Sequence, residues 1–185
     1  MAGMNSFLEK DHFHEEVVVK QKNTLNKLMY YFSWIVMVLA ALFASLNLST
    51  LTMNFNWMTI VIILLSGGLA VYIWFFHDRL LTEYEYTFTN GALDFAEVYN
   101  NKKRKSLGSL NVRNVEAFGK VSSDSFNRYV SMPGVKKMNW FLNREAELYY
   151  FYFTKDTEKK MIILEPSEEL VGHIRHFLPM GAYRE

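Results

Sequence analysis

The sequence contains no cysteine. That excludes disulfides, thiolate metal sites and a cysteine nucleophile. It has no excess of either charge: 20 Lys and Arg against 19 Asp and Glu leave a formal net charge of +1. A chain this close to neutrality is not built for bulk electrostatic capture of nucleic acid. No glycine-rich phosphate loop, nucleophile elbow or Ser/His/Asp spacing is visible, nor a helix-turn-helix or an aromatic-basic RNA motif. The most informative absence is local. Between residues 28 and 76 there is no Asp, Glu, Lys, Arg or His. The mean hydropathy of −0.03 averages this uncharged stretch with flanks as charged as those of any soluble protein.

Two apolar runs fill the uncharged stretch, LMYYFSWIVMVLAALFASLN (28–47) and WMTIVIILLSGGLAVYIWFF (57–76). Each is about as long as a helix needs to be to cross ~30 Å of hydrocarbon. The segment between them, 48–56, is polar, uncharged and short. The reading is a transmembrane helical hairpin. The competing reading, a buried helical pair in a soluble protein, requires more covering chain than 185 residues supply. Tyr30, Tyr31, Trp34, Trp57, Tyr72 and Trp74 lie near the run ends, where interfacial aromatic belts form. Lys10, Lys20, Lys22 and Lys27 precede the first run, Arg79 follows the second, and the connection has no cation. The positive-inside rule then places both termini in the cytoplasm of a multi-pass plasma-membrane protein. A cleaved signal peptide does not fit, because the first run starts late, is long, and is followed by a second. Ala40/Ala44 and Ala41/Ser45 in the first run and Ser66/Ala70 in the second form small-xxx-small pairs that let helix backbones approach, and Gly67 clusters with the last pair. They are candidates for packing within the hairpin or against a second copy or a partner's helices.

Beyond Arg79 the hydrophobic period changes to two. In EYEYTFT the aromatic residues Tyr84, Tyr86 and Phe88 face one way and Glu83, Glu85 and Thr87 the other, the mark of a half-buried strand. Asn90-Gly91 is the strongest short hairpin signal; a two-residue turn there pairs Phe88 with Leu93 and Tyr86 with Phe95, apolar side to apolar side. Further strands are read in KSLGSL, VRNVEAF, VKKMNWFLN, LYYFYFT and MIILE, with a loop or short helix over 122–134. Pro166-Ser167-Glu168-Glu169 starts a capped helix whose stripe is Leu170, Val171, Ile174, Phe177 and Leu178. The expected organisation is an N-terminal cytoplasmic segment (1–27), the hairpin (28–77), and a cytoplasmic α+β domain (78–185) of about seven antiparallel strands capped by a C-terminal helix.

The stretches HEEVVVKQK, EYEYTFTNGALDFAEVYNNKKRK, VEAFGK and LEPSEELVGHIRHFLP resemble an uncharacterised family of small bacterial membrane proteins with two transmembrane helices and a cytoplasmic pleckstrin-homology-like (PH-like) domain. The resemblance spans most of the chain. It implies an architecture and brings no catalytic residues.

Lys102, Lys103, Arg104 and Lys105 sit at an expected strand connection. They are either a solvated turn or, with Arg79, a contact for anionic lipid headgroups, worth roughly 1 kcal/mol per residue near a membrane surface. The segment DHFHEE gathers Asp11, His12, His14, Glu15 and Glu16, and His173 and His176 share a side of the last helix. No second pair of ligands is evident for either set, so no metal and no cofactor is assigned. The function expected is that of a non-enzymatic, membrane-anchored scaffold or accessory protein that presents its cytoplasmic domain to a protein partner or to a second copy. The alternatives are a binder of anionic headgroups and an accessory subunit of a transporter. Nucleic acid is not an expected partner.

Overall fold

A computed structural model describes residues 12–184; Lys10 and Asp11, counted above, lie outside that range. The chain forms two compact units. One is a β-rich unit in which two sheets and a helix enclose an apolar core. The other is a helical hairpin together with residues 98–103.

The β unit begins earlier in the chain than the sequence suggests. Its first strand, β1 (Phe13–Val18), comes from the segment before the hairpin. It pairs antiparallel with β2 (Thr82–Thr89), from Phe13 opposite Thr89 to Val18 opposite Tyr84. Next come β3 (Ala92–Tyr99) and β4 (Lys103–Asn111), giving a four-stranded sheet in the order β1-β2-β3-β4. The boundary placed at 78 therefore needs correction: the domain is discontinuous, and the hairpin is an insertion between its first two strands.

The β2–β3 connection is the expected two-residue turn. Asn90 and Gly91 have φ of 50° and 94°, which Asn tolerates and Gly adopts freely. Tyr86, Phe88, Leu93 and Phe95 all point into the core, and the Tyr86 and Phe95 rings lie 5.8 Å apart.

The second sheet contains β5 (Ala117–Lys120), β6 (Lys136–Trp140), β7 (Tyr149–Lys155), β8 (Glu158–Leu164) and β9 (Tyr183–Arg184). Its order is β6-β8-β7-β5-β9. Of these, β6 runs parallel to β8 and β9 parallel to β5. Nine strands are thus present among the described residues, where about seven, all antiparallel, are expected from sequence.

The near-continuous apolar run of β7 has a simple cause: both faces of this sheet are covered. Tyr149, Phe151 and Phe153 enter the main core with Phe88, Phe118 and Leu164. Tyr150 and Tyr152 enter a second cluster, beneath the short helix α3 (Asp124–Val130), whose Phe126 and Tyr129 pack on it. The last helix, α4 (Glu168–Phe177), is amphipathic as expected. Ser167 caps it by accepting from the Leu170 N–H at 3.2 Å, and Leu170, Val171 and Ile174 are buried. Each such aliphatic side chain removed from water contributes about 1.5–3 kcal/mol before entropy is counted.

In the hairpin unit, α1 (Thr24–Met53) exceeds its expected span of 28–47, while α2 (Trp57–Phe76) matches its own. The extension of α1 runs through the polar segment expected as a loop. Ser49, Thr50 and Thr52 donate their hydroxyls to the carbonyls of Ser45, Asn47 and Ser49 at 3.2, 2.8 and 2.7 Å. The helix thus satisfies its own polar side chains and continues. Only Asn54–Asn56 remain as the turn, and the Asn56 side chain caps α2 by accepting from the Met58 N–H at 2.9 Å.

Apart from a narrow seam, the side chains of both helices are exposed, including Phe32, Leu39, Leu46, Leu64, Leu65 and Phe75. Both helices are long and apolar enough to cross a membrane.

Candidate functional site

The basic segment is mostly strand rather than turn. The β3–β4 connection is residues 100–102, in which Asn100 and Asn101 are left-handed at φ of 50° and 52°. Lys103, Arg104 and Lys105 already belong to β4. Most of their charge meets acids of the chain itself. Arg104 Nη2 lies 2.5 Å from Glu85 Oε2 and 4.0 Å from Glu15 Oε1. Lys105 Nζ is 4.0 Å from Glu97 Oε2. In the hairpin unit, Lys102 Nζ is 3.6 Å from Asp78 Oδ1, which also accepts from Asn100 Nδ2 at 2.8 Å.

Arg79 is not part of that cationic run. Its guanidinium lies 4.9 Å from the Phe76 ring centroid and 5.7 Å from that of Tyr99. With Phe75, Phe76, Asp78, Tyr99 and Lys103 it lines an open cleft of about 310 Å³. The headgroup candidates therefore divide: Arg104 and Lys105 are engaged on the β unit, and Arg79 and Lys103 share a concave surface.

The small residues of the hairpin also divide. Ala40 and Ala44 on α1, and Ser66, Gly67 and Ala70 on α2, lie half-buried or buried along the seam, which continues through Met37. Ser66 donates to the Ile62 carbonyl at 2.7 Å. Ala41 and Ser45 are exposed. Ala41, Ala70, Val71 and Trp74 line an apolar groove. At the hairpin's charged end Trp34 and Trp74 meet edge to face, with centroids 6.1 Å apart, and Tyr30 stacks on His77 at 5.4 Å.

The arrangement least visible in the sequence lies within the β unit. The two histidine pairs that lack partners when read along the chain meet each other in space. Asn90 holds the backbone of His12 from both sides: its side-chain oxygen accepts from the His12 N–H, and its own N–H donates to the His12 carbonyl, both at 3.0 Å. Two residues on, His14 projects from the same side of β1. The His12 ring lies 5.7 Å from His173 and 5.2 Å from His176, and the His14 ring lies 5.6 Å from His173.

A carboxylate stands near each nitrogen of His14. Glu169 Oε1 is 3.6 Å from Nδ1, and Glu16 Oε2 is 3.4 Å from Nε2. Glu16 is fixed in turn, because both its oxygens accept from the Ser167 N–H at 3.1 Å. His173 stacks on Phe88 at 5.9 Å, which anchors that ring against the core. The spacings were present in the sequence: i, i+2 on a strand, and i, i+4 and i+7 on a helix. Their meeting depends on the docking of α4 beside a strand that precedes the hairpin.

No curated protein and no solved structure matches the chain. A family model does, over residues 10–184. It covers both units, the inserted hairpin included, and agrees with two sheets closed by a C-terminal helix. The chain belongs to the bacterial PH-like domain family DUF6106.

Proposed function

We propose that the protein is a non-enzymatic accessory protein of the plasma membrane, in which the α1–α2 hairpin anchors a PH-like domain that engages a protein partner in the cytoplasm. The observation that carries the anchor is the exposure of the two helices. Almost the whole of a 30-residue and a 20-residue apolar helix lies outside any core, far beyond the few hundred Å² of contiguous apolar surface a soluble monomer tolerates. Lipid is the solvent that such a surface fits.

Chain connectivity supports the two-span topology. Because β1 and β2 pair in one sheet, both ends of the hairpin belong on one side of the membrane, which supports an even number of spans, and the distribution of Lys and Arg favours the cytoplasmic side. A protein partner is favoured over lipid headgroups because Arg104 and Lys105 already face Glu85, Glu15 and Glu97.

The edges of the sheets point the same way. β4 opens with three cations, β6 with two, and β9 has two residues; all are protected edges. Terminal strand β1 instead exposes the apolar side chains of Phe13 and Val17, a surface a protein partner can cover. The test is recovery of the full chain from membranes in mild detergent under several growth conditions. A specific partner, lost when Phe13 and Val17 are changed to Lys, supports the reading; recovery of the chain alone in every condition counts against it. A second reading, contact with anionic headgroups, is favoured by one observation, the cleft that brings Arg79 and Lys103 together.

A further inference from the structure

Four of the chain's five histidines converge on one face of the β unit, and acids accompany them. Ligand atoms of His14, Glu169 and His173 all lie within 4.8 Å of one another. We propose that this face is a binding site for a divalent transition-metal ion of the zinc class, with His14, His173 and Glu169 as ligands. The inference is independent of the anchor and of the partner.

The donor set decides the class of ion. Imidazole nitrogens with one carboxylate suit zinc and its neighbours, whereas calcium and magnesium prefer all-oxygen shells. Bond lengths of about 2.0–2.2 Å in a tetrahedral site place ligand atoms roughly 3.4 Å apart. His14 Nδ1 and Glu169 Oε1, at 3.6 Å, are already near that spacing. Glu169 has 72% of its side chain exposed, so its carboxylate can swing without disturbing the core.

Three protein ligands leave one tetrahedral position open, and the His12 ring is close to the ligand set, 5.7 Å from His173.

The two acids have different parts. Glu16, tied to the Ser167 N–H, lies on the Nε2 side of His14. A histidine that ligates through Nδ1 donates its other N–H to such a carboxylate, which fixes the tautomer and the ring plane. Glu169, exposed and facing Nδ1 of His14 at 3.6 Å, is the acid placed to ligate. Packing alone accounts for His173 against Phe88, but it does not require a carboxylate on each side of His14.

The experiment uses the full chain in detergent without a polyhistidine tag. The protein is equilibrated with micromolar Zn²⁺, freed of unbound metal, and its zinc content measured. One zinc per chain is expected. His14→Gln, His173→Gln and the surface variant Glu169→Gln should each weaken binding by roughly tenfold or more, and Glu16→Gln by about 10- to 100-fold. His77→Gln, outside the cluster, should bind as wild type does. Cobalt(II) added to the wild-type protein should give the visible bands of a tetrahedral nitrogen–oxygen site, a readout that needs no variant to fold. Absence of zinc from the wild type, absence of the cobalt bands, or unchanged binding in Glu169→Gln and His173→Gln would each overturn the proposal.

Discussion

Arg104 on β4 reaches over β3 to Glu85 on β2, with Nη2 2.5 Å from Oε2. A cation held this way belongs to its own sheet first. Native mass spectrometry of the detergent-solubilised chain should therefore show the same retained anionic phospholipid for wild type and Arg104→Ala. The same measurement on an Arg79→Ala, Lys103→Ala double variant separates the two functional readings: unchanged retention fits the protein-partner reading, and a severalfold drop fits headgroup contact in the cleft. Loss of the Arg104 pair should cost little stability, as for other exposed ion pairs.

Tyr86 is fully buried, and its hydroxyl closes a polar gap in the core. It donates to the Trp140 carbonyl and accepts from the Glu165 N–H at 3.3 Å. Burial raises its pKa well above the usual phenol range, so the hydroxyl keeps its proton at all physiological pH. Tyr86→Phe retains the ring and removes the hydroxyl's hydrogen bonds to two part-buried backbone groups. Denaturant unfolding should show a loss of about 1–3 kcal/mol.

Val18 and Tyr84 are partners at one end of the β1–β2 ladder. The chain on either side of the hairpin therefore already forms a hairpin of its own. Replacing residues 20–82 by a short Asn-Gly-containing turn should yield a water-soluble monomer with a cooperative thermal transition. A fragment beginning at residue 81, which lacks β1, should aggregate or fail to show that transition. Light scattering and circular dichroism distinguish the outcomes.

The absence of cysteine makes topology directly measurable. Phe55→Cys lies in the turn between the helices, and Lys159→Cys at the start of β8, both exposed. In intact cells a membrane-impermeant maleimide should label the first and spare the second, which should react only after permeabilisation. The reverse pattern would refute the orientation.

What could be read from the sequence was whatever announced itself locally. The Asn90-Gly91 turn, the aromatic strand Tyr149–Lys155 and the capped helix Glu168–Phe177 each carry their own period and punctuation. β1 escaped because its signal is inverted: Phe13 and Val17 face outward, while His12, His14 and Glu16 face inward. Alternation of that kind reads as polar linker. β9 has two residues, and the Phe118 N–H that donates to the Ala182 carbonyl at 2.8 Å leaves no pattern in sequence. The cations of β4 look like a loop until Glu85 and Glu97, on strands aligned beside them, are taken into account. The histidine cluster depends on two such non-local facts at once, the inverted strand and the helix that docks next to it.

The placement of β1 before the hairpin and β2 after it also sets an order of manufacture. The first strand is synthesised early and finds its neighbour only after both helices have left the ribosome. If the hairpin spans the membrane as proposed, sheet closure reports on its insertion. If one helix fails to cross, β1 and β2 emerge on opposite sides of the bilayer, and the domain is left with open strand edges for proteases to find. On the two-span reading, a correctly inserted hairpin returns β2 to the side of the bilayer that holds β1, and this is what lets the native chain close its sheet.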